Sequence, residues 1–461
     1  MSNALPRPVE SVAQARLLRT LRLRDLVLLI IGAIIGSGIF LVPGAILRQV
    51  DNSVALAAGI WVAGGVLSWL GAMTYAELAA AKPESGGLYV YIRDCFGTLP
   101  AFLYGWSIFV AISSGTVASL SVAFSNYLAT VVPLTFWQAR AVSVSVIVIV
   151  TVVNVLGTRS GAGLQNWTTG IKLAMTVGIC VVLLFLGRQY SAIPTALWPV
   201  SANASIVSKF GLAMVPVLWA YEGWQFVTYT AGETLEPQKN FPRALFSSVL
   251  LMSALYILAN LGYLAALGPE KAGRSETIAA SAFAMVLGPS AAKLISLTIL
   301  ISVFSAMNSV LLTAPRVLYA MASDGLFFRR LSEVHPRFHT PAYAIAALGL
   351  WSAVLSCMGG FQQLIKYTMF VAWIFYGLGA ASIFIYRRKF ADLERVYVVP
   401  GYPLTPMIFV LAAAALVLNV MFSTPRDAAI GLGMVAAGAP VYLLWRSKRR
   451  GTGAGRPGSG A

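Results

Sequence analysis

Ile31-Gly32-Ala33-Ile34-Ile35-Gly36-Ser37-Gly38-Ile39-Phe40, with Pro43-Gly44 close behind, lies inside a long apolar run. A run of that kind reads as a membrane span, and a span must satisfy its own backbone because lipid offers no hydrogen-bond partners. Gly36-Ser37-Gly38 removes side-chain bulk and tolerates unusual backbone angles, so the helix is free to unwind there. Unwinding exposes the amides that begin a second half-helix, whose positive end suits a carboxylate. The same small residues also serve close helix–helix packing, and the stretch alone leaves both readings open.

The rest of the chain has the same character. Its 461 residues are 58% hydrophobic and 11% charged, where a soluble domain averages about 45–50% and about 25%. That excludes an ordinary cytosolic protein and a disordered chain, and three cysteines cannot build a disulfide scaffold. At about 20 residues per span the length holds about a dozen helices. The apolar stretches are Leu26–Leu47, Val54–Ala80, Leu99–Val132, Val142–Leu156, Trp167–Leu186, Val207–Ala231, Leu245–Leu267, Ala291–Ala322, Ala342–Met358, Leu364–Tyr386, Leu404–Phe422 and Ala428–Trp445. The predicted fold is therefore an all-α integral membrane protein of 12 transmembrane helices.

The net charge of +17 is concentrated beside the spans, as Arg16, Arg19, Arg22 and Arg24, as Arg387, Arg388 and Lys389, and as Arg446, Lys448, Arg449 and Arg450. An even number of spans puts both ends on one side, and the basic excess on that side makes both ends cytoplasmic, in the cell membrane. No aromatic residues interleave with the basic runs, which argues against nucleic acid. The first span has no cleavage site after it and reads as a retained helix. Cys95, Cys180 and Cys357 match no metal-ligand spacing and read as small fillers; His335 and His339 read as solvated loop residues. No metal and no cofactor is expected.

A second interruption falls in the sixth span, at Pro216 and then Trp219-Ala220-Tyr221-Glu222-Gly223-Trp224. A carboxylate near mid-membrane costs about 2.5–3.5 kcal/mol by insertion scales, so Glu222 should face a cavity or a partner. Spans one and six each open a block of five, and inverted repeats with broken first helices place a site between them at the midplane. Lys172 in span five sits about 9 Å along its helix. It either snorkels to the headgroups or reaches carbonyls freed by the first break, where a shifted pKa would couple it to protons.

These stretches carry a resemblance. Gly32 through Phe40, Tyr75-Ala76-Glu77-Leu78, Pro83 through Tyr89, Gly97 through Phe102, Trp219 through Trp224, Glu233 with Asn240-Phe241-Pro242-Arg243-Ala244, and Arg316 with Asp324-Gly325 follow in order. Together they resemble the amino acid–polyamine–organocation superfamily, most of all the L-type amino acid transporters and their bacterial relatives. The resemblance implies the LeuT-type fold: a 5+5 inverted repeat with two extra C-terminal helices. The units would be a cytoplasmic segment 1–24, repeats 25–187 and 207–386, helices 404–446 and a disordered tail 447–461.

It further implies that amides around Gly36, Ser37 and Gly38, beside Ile39, hold a substrate carboxylate. Carbonyls of Ile34, Trp219 and Glu222, with Ala220 and Gly223 in the same break, would meet the substrate ammonium. Trp219 would close over substrate, and the Lys172 ammonium would stand in for a sodium ion, with Ser302 or Ser305 as distant neighbours. The expected activity is alternating-access transport of neutral L-α-amino acids, independent of sodium, by exchange or proton symport. Glu222, where relatives have Gly or Asp, keeps a cationic amino acid or polyamine antiporter open; a non-transporting sensor and an intramembrane enzyme are remoter readings. Val132–Arg140 has no cysteine, so no disulfide-linked heavy chain is expected. The expected partners are a small-molecule amino acid and the bilayer.

Overall fold

The computed structural model describes residues 17–129, 131–187, 204–393 and 395–453. Where one first span is expected there are two helices, α1 (Leu23–Ile34) and α2 (Gly38–Gln49), bent by 41° across Ile35-Gly36-Ser37. There follow α3 (Val54–Ala81), α4 (Leu88–Phe96), α5 (Thr98–Ala129), α6 (Phe136–Val155), α7 (Thr158–Leu186) and α8 (Ala204–Ala220). After α8 a tighter 3-10 segment, Trp224–Glu233, leads into α9 (Pro237–Arg274). The remainder is α10 (Ile278–Leu287), α11 (Pro289–Ser323), α12 (Ala342–Met358), α13 (Phe361–Lys389), α14 (Leu404–Ser423), α15 (Pro425–Ala436) and α16 (Gly438–Gly453). Among the described residues nine helices are long and apolar enough to cross a membrane, or ten with the bent pair counted as one.

The expected stretches are helical, but the sixth and ninth form helices of only 17 residues, α8 and α12. Two helices appear that the apolar runs did not mark. They are the short amphipathic α4, and α10, whose ten residues are fewer than a span requires. The last helix runs on to Gly453, past the expected end at 446; residues 454–461, like 1–16, lie outside the described ones. Of the cysteines only Cys180 is buried; Cys357 is exposed, as the end of a peripheral helix allows. His335 is not merely solvated, since its Nδ1 accepts from the Arg337 and Phe338 amides and shapes the turn.

Burial sorts the helices. α5, α11 and the larger part of α13 are enclosed on most sides, whereas α6, α14 and α15 leave most of their surface outward. Outward residues are large and apolar, Trp167, Phe185, Leu350 and Phe422 among them, as lipid contact requires. Two breaks in regularity have local causes. α5 widens by a single π turn at Ile108–Ile112, where the Ser114 hydroxyl donates to the Phe109 carbonyl at 2.6 Å. α9 kinks at Gly268, whose φ of 69° precedes Pro269.

One face of the bundle, called here the near face, carries residues 17–22 and the ends of α3 and α13. Charges stitch it together. Arg387 forks onto Glu77 at 2.8 and 2.6 Å, and Glu77 also accepts from the Val399 amide at 2.7 Å. Arg93 joins Asp324 at 2.8 Å and Asp94 at 2.9 Å, linking α4 to the end of α11. Those two carboxylates hold the Arg93 guanidinium above its ordinary pKa against the opposing effect of burial. The N-terminal segment meets the end of the 3-10 segment in a single bridge: the Thr20 and Leu21 amides donate to the Glu233 carbonyl, and the Leu235 amide returns to the Leu21 carbonyl at 2.8 Å.

Candidate substrate site

The two interrupted spans touch backbone to backbone. A Cβ built on Gly38 would stand 2.5 Å from the Ala220 Cα, and one built on Gly223 would stand 2.5 Å from the Ala33 Cβ and 2.9 Å from its carbonyl carbon. Only glycine allows that approach, and Gly223 needs it twice over because its φ is +123°. Pro216 sits within α8 shortly before this break. The first break is turned by the Gly36 amide, which donates to the Ile34 carbonyl at 2.8 Å. α2 then starts at Gly38; its Phe40 and Leu41 amides donate to the Ser37 carbonyl at 3.2 and 3.1 Å, which leaves the Gly38 and Ile39 amides at the open end of the helix.

Breaking α1 from α2 frees carbonyls, and α7 and α11 supply donors for them. Lys172 is 1% exposed; its Nζ donates to the Gly32 carbonyl at 2.5 Å and to Ile35 at 2.7 Å, with the Ser302 carbonyl at 3.5 Å. The Ser302 hydroxyl donates to the Ile35 and Gly36 carbonyls at 3.0 and 3.2 Å. The lysine stem thus turns inward and does not snorkel. Ser305 looks elsewhere, accepting from the Thr168 hydroxyl at 2.9 Å. An ammonium held by converging carbonyls occupies the kind of oxygen nest that suits a small hard cation.

Between the breaks lies a hollow lined by Ala33, Ile34, Gly36, Ser37, Gly38, Trp219 and Glu222, with Thr116 and Leu120 from α5, Phe226 and Val310 completing it. It measures about 20 Å³, the scale of one water. An amino acid enters only if the walls part. Ser37 is fully buried here and its hydroxyl has no hydrogen-bond partner among the described residues. Buried hydroxyls are rarely left so, and this one is on the wall of the hollow. Glu222 Oε1 accepts from Gln225 at 2.6 Å and from the Tyr376 hydroxyl at 2.5 Å. Tyr376 also accepts from Gln225 at 2.7 Å, and its carbonyl accepts from Tyr75 at 2.6 Å, so the carboxylate is fixed to α3 and α13.

A profile described as amino acid permease matches residues 21–444, nearly the whole chain. The chain belongs to the amino acid permease family. Its relatives include the serine/threonine exchanger SteT of Bacillus subtilis (strain 168), 31% identical over 426 residues covering 91% of this chain and 95% of that protein. Asc-type amino acid transporter 1 of Mus musculus is 31% identical over 432 residues, covering 91% and 80%. Large neutral amino acids transporter small subunit 2 of Rattus norvegicus is 31% identical over 430 residues, again 91% and 80%. These are transporters and not enzymes, and a permease with this many apolar helices is a multi-pass membrane protein.

Of the residues expected at the site of this permease, Ile34, Gly36, Ser37, Gly38, Trp219 and Glu222 line the one hollow. Ile39, Ala220 and Gly223 are behind the lining, the latter two as the backbone surfaces on which the breaks meet. One expectation needs correcting for this conformation. The Ile34 carbonyl already accepts from the Gly36 amide and from the Tyr256 hydroxyl, each at 2.8 Å, so it is not open to a ligand. Thr116, Leu120, Phe226 and Val310 were missed. Thr116 could have been noticed in the polar run Ser113-Ser114-Gly115-Thr116 of an otherwise apolar helix, and Phe226 two residues past the second motif. Nothing in the sequence marks Leu120 or Val310.

Proposed function

We propose that the permease is a sodium-independent secondary transporter of neutral L-α-amino acids, working by alternating access as an exchanger or a proton symporter. The observation that carries this reading is the contact of two interrupted helices, Gly38 on Ala220 and Gly223 on Ala33, around a hollow with an unpartnered Ser37 hydroxyl. An α-amino acid presents one carboxylate and one ammonium. The first-turn amides of α2 and the Ser37 hydroxyl suit the carboxylate. The carbonyls of Trp219 and Glu222, at the end of α8, suit the ammonium. The Ile34 carbonyl joins them only if the Tyr256 hydroxyl gives way. Leu120, Phe226 and Val310 leave an apolar space for the side chain, which supports neutral substrates of small size.

The same reading takes the chain as twelve spans with repeats 25–187 and 207–386 of opposite orientation, both termini cytoplasmic in the cell membrane, and the near face inward. Lys172 supplies a fixed positive charge between α7 and the first break, where a coupling sodium would otherwise bind. Without a cysteine in Val132–Arg140 it works without a disulfide-linked heavy chain. One observation favours a second reading: Glu222 is the ionisable group among the lining residues, and a cationic amino acid or polyamine would use it. Competition against one labelled substrate in proteoliposomes separates the two. Small neutral amino acids should compete and putrescine should not; inhibition by arginine, agmatine and putrescine alone would overturn the neutral assignment. Replacing sodium by choline should leave uptake unchanged, and a large loss of uptake would refute the role given to Lys172.

A further inference from the structure

A second and much larger hollow, about 320 Å³, opens on the face opposite the near face, between α8, α13 and α14. We propose that it binds one acyl chain of a zwitterionic phospholipid and braces the outer halves of both broken spans. Its mouth is at Gln49, Lys366, Thr424 and Asp427, where α2 ends and α13 and α15 begin. Those helix ends mark the level at which spanning segments leave hydrocarbon for headgroups. Inward it runs to Trp373, seven residues and about 10 Å along α13. The walls at Val215, Leu218, Phe370 and Val417 offer no charge and little hydrogen bonding. A space so lined is poorly hydrated, and hydrocarbon fills it more favourably than water.

The mouth supplies the second half of the recognition. Lys366 Nζ and Asp427 Oδ2 stand 4.0 Å apart, beyond hydrogen-bond distance, with side chains 58% and 28% exposed. A pair this loose is worth little to itself. It matches a phosphate and an ammonium presented side by side by one headgroup. The position gives the chain leverage. Leu218 immediately precedes Trp219, Ala45 belongs to α2, and Trp373 is one turn ahead of Tyr376, which donates to Glu222. An occupant is therefore wedged against both half-helices that frame the central hollow, without entering it.

The test is native mass spectrometry of the full chain after equilibration with equimolar phosphatidylethanolamine and phosphatidylglycerol. The expected result is one phosphatidylethanolamine retained per chain. Val417→Trp, which fills the hollow, should lose it. Asp427→Lys at the mouth, with its fold checked by thermal melting, should retain phosphatidylglycerol instead, with the preference reversed at least severalfold. Equal retention by wild type and Val417→Trp, or an unaltered headgroup preference in Asp427→Lys, overturns the proposal. Displacement of the lipid by millimolar leucine also overturns it, because the hollow would then be a vestibule for substrate.

Discussion

Gly38 has no room for a single added carbon. The nearest atom of Ala220 is 2.5 Å from where a Cβ would be, and it is backbone, so the two breaks must separate to admit one. Overpacking of this kind costs about 1–3 kcal/mol of stability where the structure holds. Gly38→Ala is expected to lower equilibrium binding of the transported amino acid at least severalfold, and Gly38→Val to abolish it, with the protein still folded and its melting temperature lowered by only a few degrees. Gly59, which has no neighbour within 4 Å, gives the control: Gly59→Ala should bind as wild type. Unaltered binding by Gly38→Ala would remove the carboxylate site from this break. Gly-Ser-Gly was legible before any coordinates as one of two things, a break or a close helix contact, and the bend of 41° between α1 and α2 decides for the break. Its partners were not legible. Leu120 and Val310 belong to α5 and α11, and their approach to the hollow depends on how distant helices pack, which no local pattern encodes.

The same division holds for the helices. Apolar length announced the long spans, since twenty residues without charge can go nowhere else. α4 and α10 escaped notice because nine or ten residues at a loop give neither the length nor the repetition that marks a helix. Nor did composition reveal what joins α11 to the second broken span. Arg316 and Glu233 are each 1% exposed and form a forked pair at 2.7 and 3.0 Å. Removing one member of a buried pair strands the other charge and costs about 3–5 kcal/mol, whereas removing both is often neutral. Arg316→Met is therefore expected to lower the melting temperature by several degrees in a thermal-shift assay. Glu233→Met combined with it should recover most of the loss. If the double variant melts no higher than the single one, Arg316 acts through its bond to the Leu312 carbonyl and not through the pair.

At the scale of the bundle, the central hollow is nearly closed, with room for about one water. That closure has an identifiable fastening. The Leu21 amide donates to the Glu233 carbonyl at 3.0 Å and the Leu21 carbonyl accepts from the Leu235 amide at 2.8 Å. α1 begins two residues after Leu21, and Glu233 ends the segment that follows the second break, so this rung ties the near ends of both broken spans. Leu21 itself is 2% exposed, which anchors the segment by burial as well as by main-chain bonds. On the alternating-access mechanism proposed above, passage to the near side requires those ends to separate, and the rung must open before they do. Proline at position 21 has no N–H to donate and leaves the Thr20 amide alone on the Glu233 carbonyl, while the lost burial is confined to one side chain. Leu21→Pro is accordingly expected to populate the state open to the near face. The measurement is the rate at which an impermeant thiol reagent modifies Phe226→Cys, in a background without Cys95, Cys180 and Cys357, from the near side of oriented vesicles. A severalfold faster reaction in Leu21→Pro is the expected outcome. An unchanged rate would mean that the rung follows the motion of the two spans and does not restrain it.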